Sequence, residues 1–154
     1  MKEIQLTQGK VALVDDSDFD RLNSFKWYAI KAGRIWYATR NIMVGRKRTT
    51  LRMHWYILGG KGIDHIDHNG LNNQKSNLRF CTRSENAMNM RPSTNGTSTF
   101  KGVSWHKTNK KWIARIKING KDTYLGTFTD EIEAAKIYDR KANELFGKFS
   151  FTNL

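Results

Sequence analysis

Cysteine occurs once, at Cys81, so the chain can form no internal disulfide and no Cys-x-x-Cys zinc site. A reducing compartment suits such a chain, and a cytoplasmic protein is expected. Proline also occurs once, at Pro92. No apolar run approaches the roughly 18 residues a membrane helix needs. The opening MKEIQLTQGK lacks the apolar centre of a secretory signal. No membrane partner is therefore expected. Acidic residues are scarce, 14 against 27 Lys and Arg, leaving a net charge of +13. What is present is enough to fold: 38% of residues are hydrophobic and 12% aromatic, well above the composition of a disordered tail.

The surplus charge is unevenly placed. Between residues 22 and 63 there are nine basic residues and no acid, and between 101 and 128 seven basic residues and one acid, Asp122. From residue 129 onward there are four basic and five acidic residues. Long stretches without counter-charge fit a polyanion, and nucleic acid is the partner expected.

The fold class expected is α+β, in four parts. Residues 1–50 read as a mainly β segment. Within it, strands are predicted at 4–6 and 10–14, a helix after the caps Asp15, Asp16 and Ser17, and a hairpin of 26–30 with 34–39. Trp27 and Trp36 read as a cross-strand aromatic pair, and such tryptophans more often belong to the core than to a ligand platform. Residues 51–90 form the second part, with a helix predicted at 50–58, a strand at 78–82 and a short helix capped by Ser84. Residues 91–100 read as a polar linker broken by Pro92 and Gly96. Residues 101–154 read as strands at 102–106, 112–118 and 123–128, with Asn119-Gly120 as a hairpin turn. A helix follows at 130–146, capped by Thr129, with Ala135, Tyr138, Ala142 and Leu145 turned toward the sheet.

Residues 63–86 read IDHIDHNGLNNQKSNLRFCTRSEN. Phosphodiester hydrolysis needs a base for water and a cation on the phosphate. Asp and Asn oxygens suit a hard divalent cation and a neutral imidazole suits the base, whereas zinc would want more Cys or His. A turn-rich loop explains Asn69, Gly70, Asn72 and Asn73, which are assigned no chemistry. His54 reads as a structural helix histidine and Cys81 as a small residue buried in a strand.

The ordered series Asp64-His65, Asn69, Asn77-Leu78 and Glu85-Asn86, preceded by His54 in LRMHWYILG, resembles the HNH nuclease motif. It is the HNN form found among phage and intron-encoded homing endonucleases. The resemblance spans residues 51–89 and implies a ββα-metal unit around one cation, Mg²⁺ or Mn²⁺. By position it makes His65 the general base, gives Asp64 and Asn86 the cation, and has Asn77 hold the loop and orient His65. The family's last His is here Asn86, which keeps an oxygen ligand. His68 stands where glycine-like residues are frequent and makes Asp67-His68 a rival pair. The spacing to Asn77 favours Asp64-His65.

Residues 101–154 carry Lys101-Gly-Val103, Lys111-Trp112, Ala114-Arg115-Ile116, Tyr124-Leu-Gly-Thr-Phe128, Glu133-Ala-Ala135, Tyr138-Asp139 and Asn153. This series resembles the apetala-two domain of the ethylene-response-factor family, which also occurs joined to HNH nucleases. The resemblance implies a three-stranded antiparallel sheet packed on one helix and laid into the DNA major groove. It places Lys101, His106, Trp112, Arg115, Lys117, Thr123 and Tyr124 near DNA. Strand alternation puts Trp112 with Ala114 and Ile116, opposite Ile113, Arg115 and Lys117, so the two criteria conflict over Trp112 and leave its role open. Ser104, His106 and Thr123 replace family arginines, and base specificity is expected to be weak. In the N-terminal part, Gly45-Arg46-Lys47-Arg48 reads either as a phosphate-contacting loop or as a solvated turn.

Together these readings give a metal-dependent endonuclease acting on double-stranded DNA, of phage or mobile-element type, with a monomer as the expected state. The alternatives are a non-catalytic DNA-binding regulator with a degenerate HNH unit and a single-stranded RNA binder.

Overall fold

The structure is a computed structural model and describes every residue except Thr94 and Asn119. The linker's Thr94 and the hairpin's Asn119 thus lie outside the described residues. The chain forms two compact units, Met1–Cys81 and Thr82–Leu154.

In the first unit β1 (Lys2–Gln5) pairs antiparallel with β2 (Val11–Val14), and α1 (Asp16–Asn23) follows. A second antiparallel sheet has the order β3 (Tyr28–Ala32), β4 (Ile35–Val44), β5 (Lys47–Arg52). Then come α2 (Met53–Leu58) and the short antiparallel pair β6 (Ile63–His65) and β7 (Leu78–Phe80), with a 3-10 turn over Lys75–Asn77 just before β7. One core unites these pieces. Ile4, Val14, Leu22, Trp27, Met53, Ile57, Ile63 and Leu78 are all buried in it, each large side chain contributing roughly 1.5–3 kcal/mol by leaving water.

Several sequence expectations change here. The helix expected at 50–58 begins only at Met53, because Lys47–Arg52 completes the second sheet as β5. Thr49, Thr50 and Leu51 favour the pleated surface over a helix. Trp27 and Trp36 are not cross-strand partners. Trp36 lies opposite Lys31, while Trp27 precedes β3, buried, its indole N–H donating to the Leu22 carbonyl at 2.8 Å. Cys81 is half-buried and follows β7 rather than sitting in it.

The second unit begins with α3 (Arg83–Asn89), capped by Thr82 rather than Ser84. The Thr82 hydroxyl accepts from the Glu85 N–H, and the Glu85 carboxylate accepts from the Thr82 N–H at 2.7 Å, a reciprocal capping box. An antiparallel sheet of β8 (Val103–His106), β9 (Lys111–Ile118) and β10 (Lys121–Phe128), in the order β10-β9-β8, packs on α4 (Glu131–Phe146). This is the sheet-and-helix arrangement that the resemblance implied. Asp130, not Thr129, caps α4, accepting from the Glu133 N–H at 2.8 Å. Ala135, Tyr138 and Ala142 are buried as expected, but Leu145 is 38% exposed.

Two close packings depend on residue identity. Gly102, at φ +75°, lies so close to the Tyr138 ring that a Cβ there would sit 2.1 Å from it. Asn153 then locks the strand entry to α4: its amide oxygen accepts from the Lys101 N–H at 2.6 Å, and its Nδ2 donates to Asp139 at 2.8 Å. In the first unit, Gly70 presses against β4, where a Cβ would come within 2.4 Å of the Trp36 carbonyl oxygen.

Candidate active site

His65 ends β6, opposite Leu78 of β7, and its ring is buried. The His54 ring from α2 meets it edge-on with centroids 4.6 Å apart, and the Tyr37 ring from β4 lies 6.0 Å away. Asn73 Oδ1 faces His65 Nε2 at 3.4 Å, while Asn73 Nδ2 donates to the Leu71 carbonyl. That second bond fixes which end of the amide faces the ring. An amide oxygen only accepts, so Nε2 carries the proton and Nδ1 keeps its lone pair. Burial lowers the His65 pKa below the usual histidine value, against the raising effects of Asn73, Asp67 and Asp64. The imidazole is therefore neutral at physiological pH.

Asp64 precedes His65 on β6, so the two side chains leave the strand in opposite directions. The Asp64 carboxylate is buried against Arg79 of β7, whose Nη2 donates to Oδ2 at 2.9 Å. The two residues are cross-strand partners.

The loop from Ile66 to Gln74 is held from several sides. Asn77, buried, accepts from the Asp67 N–H at 3.0 Å and donates to the Asp67 carboxylate at 2.9 Å and the Asn72 carbonyl at 2.8 Å. Asp67 also accepts from the Asn69 N–H and from Asn72 Nδ2. Burial pushes the Asp67 carboxyl up, but these hydrogen bonds outweigh it and leave its pKa lowered. The Leu13 N–H donates to the Leu71 carbonyl, and the Asn73 N–H to the Leu13 carbonyl, so β2 sews the loop in place. His68 sits at φ +61°, the left-handed region where glycine is at ease, which accounts for the glycine-like residues frequent at this place in the motif.

Of the residues picked from sequence, the structure brings Asn77 to the loop that leaves His65, and pairs Asp64 with Arg79. Asn86 lies on the exposed side of α3 in the second unit. Sequence reasoning passed over Asn73, Arg79 and Tyr37. The register of β6 with β7 would have found Arg79. Nothing in the letters separates Asn73 from its turn-forming neighbours.

Asp64 and Asn86 each carry an oxygen donor of the kind a hard divalent cation takes, but the Asp64 carboxylate is paired with Arg79 in the first unit and Asn86 belongs to the second. Among the described residues no three His, Cys, Asp or Glu side chains form a group that could hold a metal ion.

His54 is 1% exposed, and burial, with the charges of His65 and Arg52, lowers its pKa to about 3. Its Nδ1 has no hydrogen-bond partner among the described residues. In the unfolded chain the same ring takes a proton near pH 6.5. The unfolded state therefore binds more protons below that pH, and stability falls as the pH drops from 6.5 toward 3. The loss due to His54 is about 2 kcal/mol at pH 5. Thermal melts should show Tm at least about 8 °C lower at pH 5 than at pH 7, and His54→Gln should flatten that dependence.

On the second unit's sheet, Arg115 and Tyr124 are opposite one another, as are Lys117 and Asp122. These four, with His106, share the face turned away from α4. Trp112 and Thr123 fall on the face that packs toward α4, Trp112 against the Trp105 ring at 5.0 Å. Ile113, on the outer face, is nonetheless buried. Lys101 turns its ammonium to the carboxyl end of α3, donating to the Met88 carbonyl at 2.5 Å and the Ala87 carbonyl at 3.2 Å. Burial brings its pKa down to about 8. In the first unit Arg46 occupies the β4–β5 turn, and Lys47 and Arg48 open β5. No helix among the described residues is long and apolar enough to cross a membrane.

Residues 55–88 match the family model described as HNH endonuclease. The chain is 34% identical over 147 residues to an uncharacterised HNH endonuclease of Acanthamoeba polyphaga mimivirus, covering 95% of this chain and 76% of that protein. It is 36% identical over 91 residues to Protein 3.8 of Escherichia phage T7, covering 59% of this chain and 74% of the relative. A third similarity, 38% over 82 residues, is to an AP2-like ethylene-responsive transcription factor of Oryza sativa subsp. japonica. It covers 49% of this chain but only 13% of that protein. A match over nearly the whole chain, together with the motif's own family model, settles the assignment: the chain belongs to the HNH endonuclease family.

Proposed function

We propose that the protein is a metal-dependent endonuclease that hydrolyses phosphodiester bonds of double-stranded DNA, of phage or mobile-element type. The observation that carries this reading is the His65 imidazole: buried, neutral, and faced at Nε2 by Asn73. In the reaction a water proton passes to the His65 imidazole. The water oxygen forms the new bond to phosphorus as the bond to the leaving ester oxygen breaks. Asp64 and Asn86 would hold a divalent cation, Mg²⁺ or Mn²⁺, which would supply charge stabilisation on the phosphate oxygens. Arg79 fixes the Asp64 carboxylate. Asn77 keeps the loop closed and Asn73 sets the tautomer, so both are positioning residues. Asp67 is committed to Asn69, Asn72 and Asn77 and Asp64 to Arg79, so the preference for Asp64-His65 over Asp67-His68 as the working pair rests on the motif's spacing to Asn77.

The sheet of the second unit supplies the grip on duplex DNA through Arg115, Lys117, Tyr124 and His106. The similarity to AP2-like transcription factors and the lack of counter-charge on β8 and β9 support this role. Binding through phosphates weakens steeply with salt. The test is a plasmid-nicking assay with Mg²⁺ or Mn²⁺ against an EDTA control. Conversion of supercoiled plasmid only with the cation is expected. A purified, folded protein that leaves the plasmid intact under both conditions sinks the nuclease reading in favour of a DNA-binding regulator.

A further inference from the structure

The first unit carries a second surface suited to nucleic acid, separate from the sheet of the second unit. The register of β3, β4 and β5 pairs Tyr28 with Thr39, Asn41 with Thr50, Met43 with Arg48 and Thr39 with Arg52. Directly paired residues of an antiparallel sheet point the same way, and alternate residues of a strand share a face. Tyr37, Thr39, Asn41 and Met43 therefore lie on one face with Tyr28, Arg48, Thr50 and Arg52. Contacts agree with that assignment: the Tyr28 hydroxyl donates to Asn41 Oδ1 at 3.0 Å, and the Arg52 guanidinium lies 4.2 Å from the Tyr37 ring centre. The other face is used by the unit's own packing at its inner end, with Ala29 and Ala38 buried and Arg40 stacked 3.6 Å over Phe25, while Val44, Lys47 and Thr49 near the tip are exposed.

The free face leads somewhere. At its inner end Thr39 is buried and Tyr37 touches the His54 and His65 rings, so the free part begins beyond them. Beyond it come the Arg52 guanidinium, the exposed Asn41–Thr50 pair and, near the hairpin tip, exposed Arg48 beside Met43, which is 63% exposed. From Tyr37 to Met43 the strand runs about 20 Å, or about six base-pair steps of 3.4 Å. Residues 22–63 contain no acid at all, so nothing on this sheet neutralises its cations. A cation next to the reacting imidazole, amide and hydroxyl groups next, and a cation with an apolar neighbour at the tip form the donor pattern that fits a nucleic-acid backbone and groove.

We propose that this face of β3–β4–β5 is a duplex-DNA docking surface that delivers the scissile strand to His65. Arg52 takes a phosphate beside the reacting one, Asn41 and Thr50 meet the groove, and Arg48 takes a phosphate further along. The assignment rests on the nuclease reading for its orientation but not for its measurement. It also separates two neighbours, since Arg48 lies on this face and Lys47, opposite Val44, on the other.

The test measures affinity of the full chain for a 30-base-pair duplex by fluorescence anisotropy in EDTA, across a salt series. Arg48→Glu and the triple variant Asn41→Ala/Arg48→Ala/Thr50→Ala change exposed side chains only, and circular dichroism confirms their fold. The triple variant should bind at least about tenfold more weakly at 0.15 M salt. Arg48→Ala alone should lower the salt slope by about one, and Lys47→Ala should leave Kd within about twofold. Wild-type affinity and slope in the folded triple variant would overturn the proposal, as would loss of single-strand or RNA binding with duplex binding intact. A wild type that fails to nick plasmid, yet loses duplex binding in these variants, would remove the nuclease reading and leave the surface standing. A nicking enzyme whose variants bind normally would remove the surface alone.

Discussion

His65→Ala is expected to lower the cleavage rate by about three orders of magnitude, within the span that a positioned general base supplies, while leaving duplex affinity in EDTA unchanged. The reason is that the imidazole is not among the groups proposed to grip DNA. The imidazole is buried among His54, Tyr37 and Asn73 and contributes no charge at neutral pH, so its removal takes away no phosphate contact. Arg115→Ala should do the reverse. Its exposed guanidinium lies on the outer face of β9, and its loss should weaken binding while the rate at saturating DNA holds. The measurement pairs single-turnover cleavage with anisotropy. Equal loss of both properties in a folded His65→Ala protein would contradict the role given to the imidazole.

Asn77→Ala is expected to have the largest effect on stability. The side chain is buried and makes three hydrogen bonds into the loop that leaves His65. Its truncation strands the Asp67 N–H and the Asn72 carbonyl, at about 1–3 kcal/mol for each group left unmade. A total of about 3 kcal/mol corresponds to a Tm drop of more than about 10 °C. Asn77→Asp should be no better. It retains an acceptor for the Asp67 N–H but sets a second carboxylate against the Asp67 carboxylate. Cleavage should fall with stability in both variants even at temperatures where the protein is folded, because the loop sets Asn73 against His65. A melting curve within about 2 °C of wild type for Asn77→Ala would show that the loop is held by something else.

The motif was legible because its members are few, ordered and chemically distinctive. Asp64, His65 and Asn77 stand out against any apolar background, and Lys101-Gly-Val103 through Asn153 carries enough identity to imply the sheet and helix that the second unit contains. The errors share one cause. Thr50 to Leu58 has apolar residues at helical spacing, yet tertiary pairing with β4 takes its first three residues into a strand. Trp27 and Trp36 sit symmetrically about a turn in the sequence, but the hairpin's true register puts Lys31 opposite Trp36. A single sequence gives no register, and a shift of one residue exchanges the faces of a strand. For the same reason the free face of the second sheet, Arg79 beside Asp64, and Asn73 among its look-alike neighbours became visible only in three dimensions.

The absence of any side chain at Gly70 has a larger bearing than its size suggests. By letting the loop lie flat on the β4 backbone, it helps turn a polar, nine-residue connection into a rigid shelf for the imidazole. Ordering such a segment costs on the order of 1–2 kcal/mol per residue. Here that cost is met when the chain folds, not when substrate arrives. On the proposed function, encounter with DNA would leave less of the protein to rearrange, and the barrier to hydrolysis would carry little of the cost of ordering this loop.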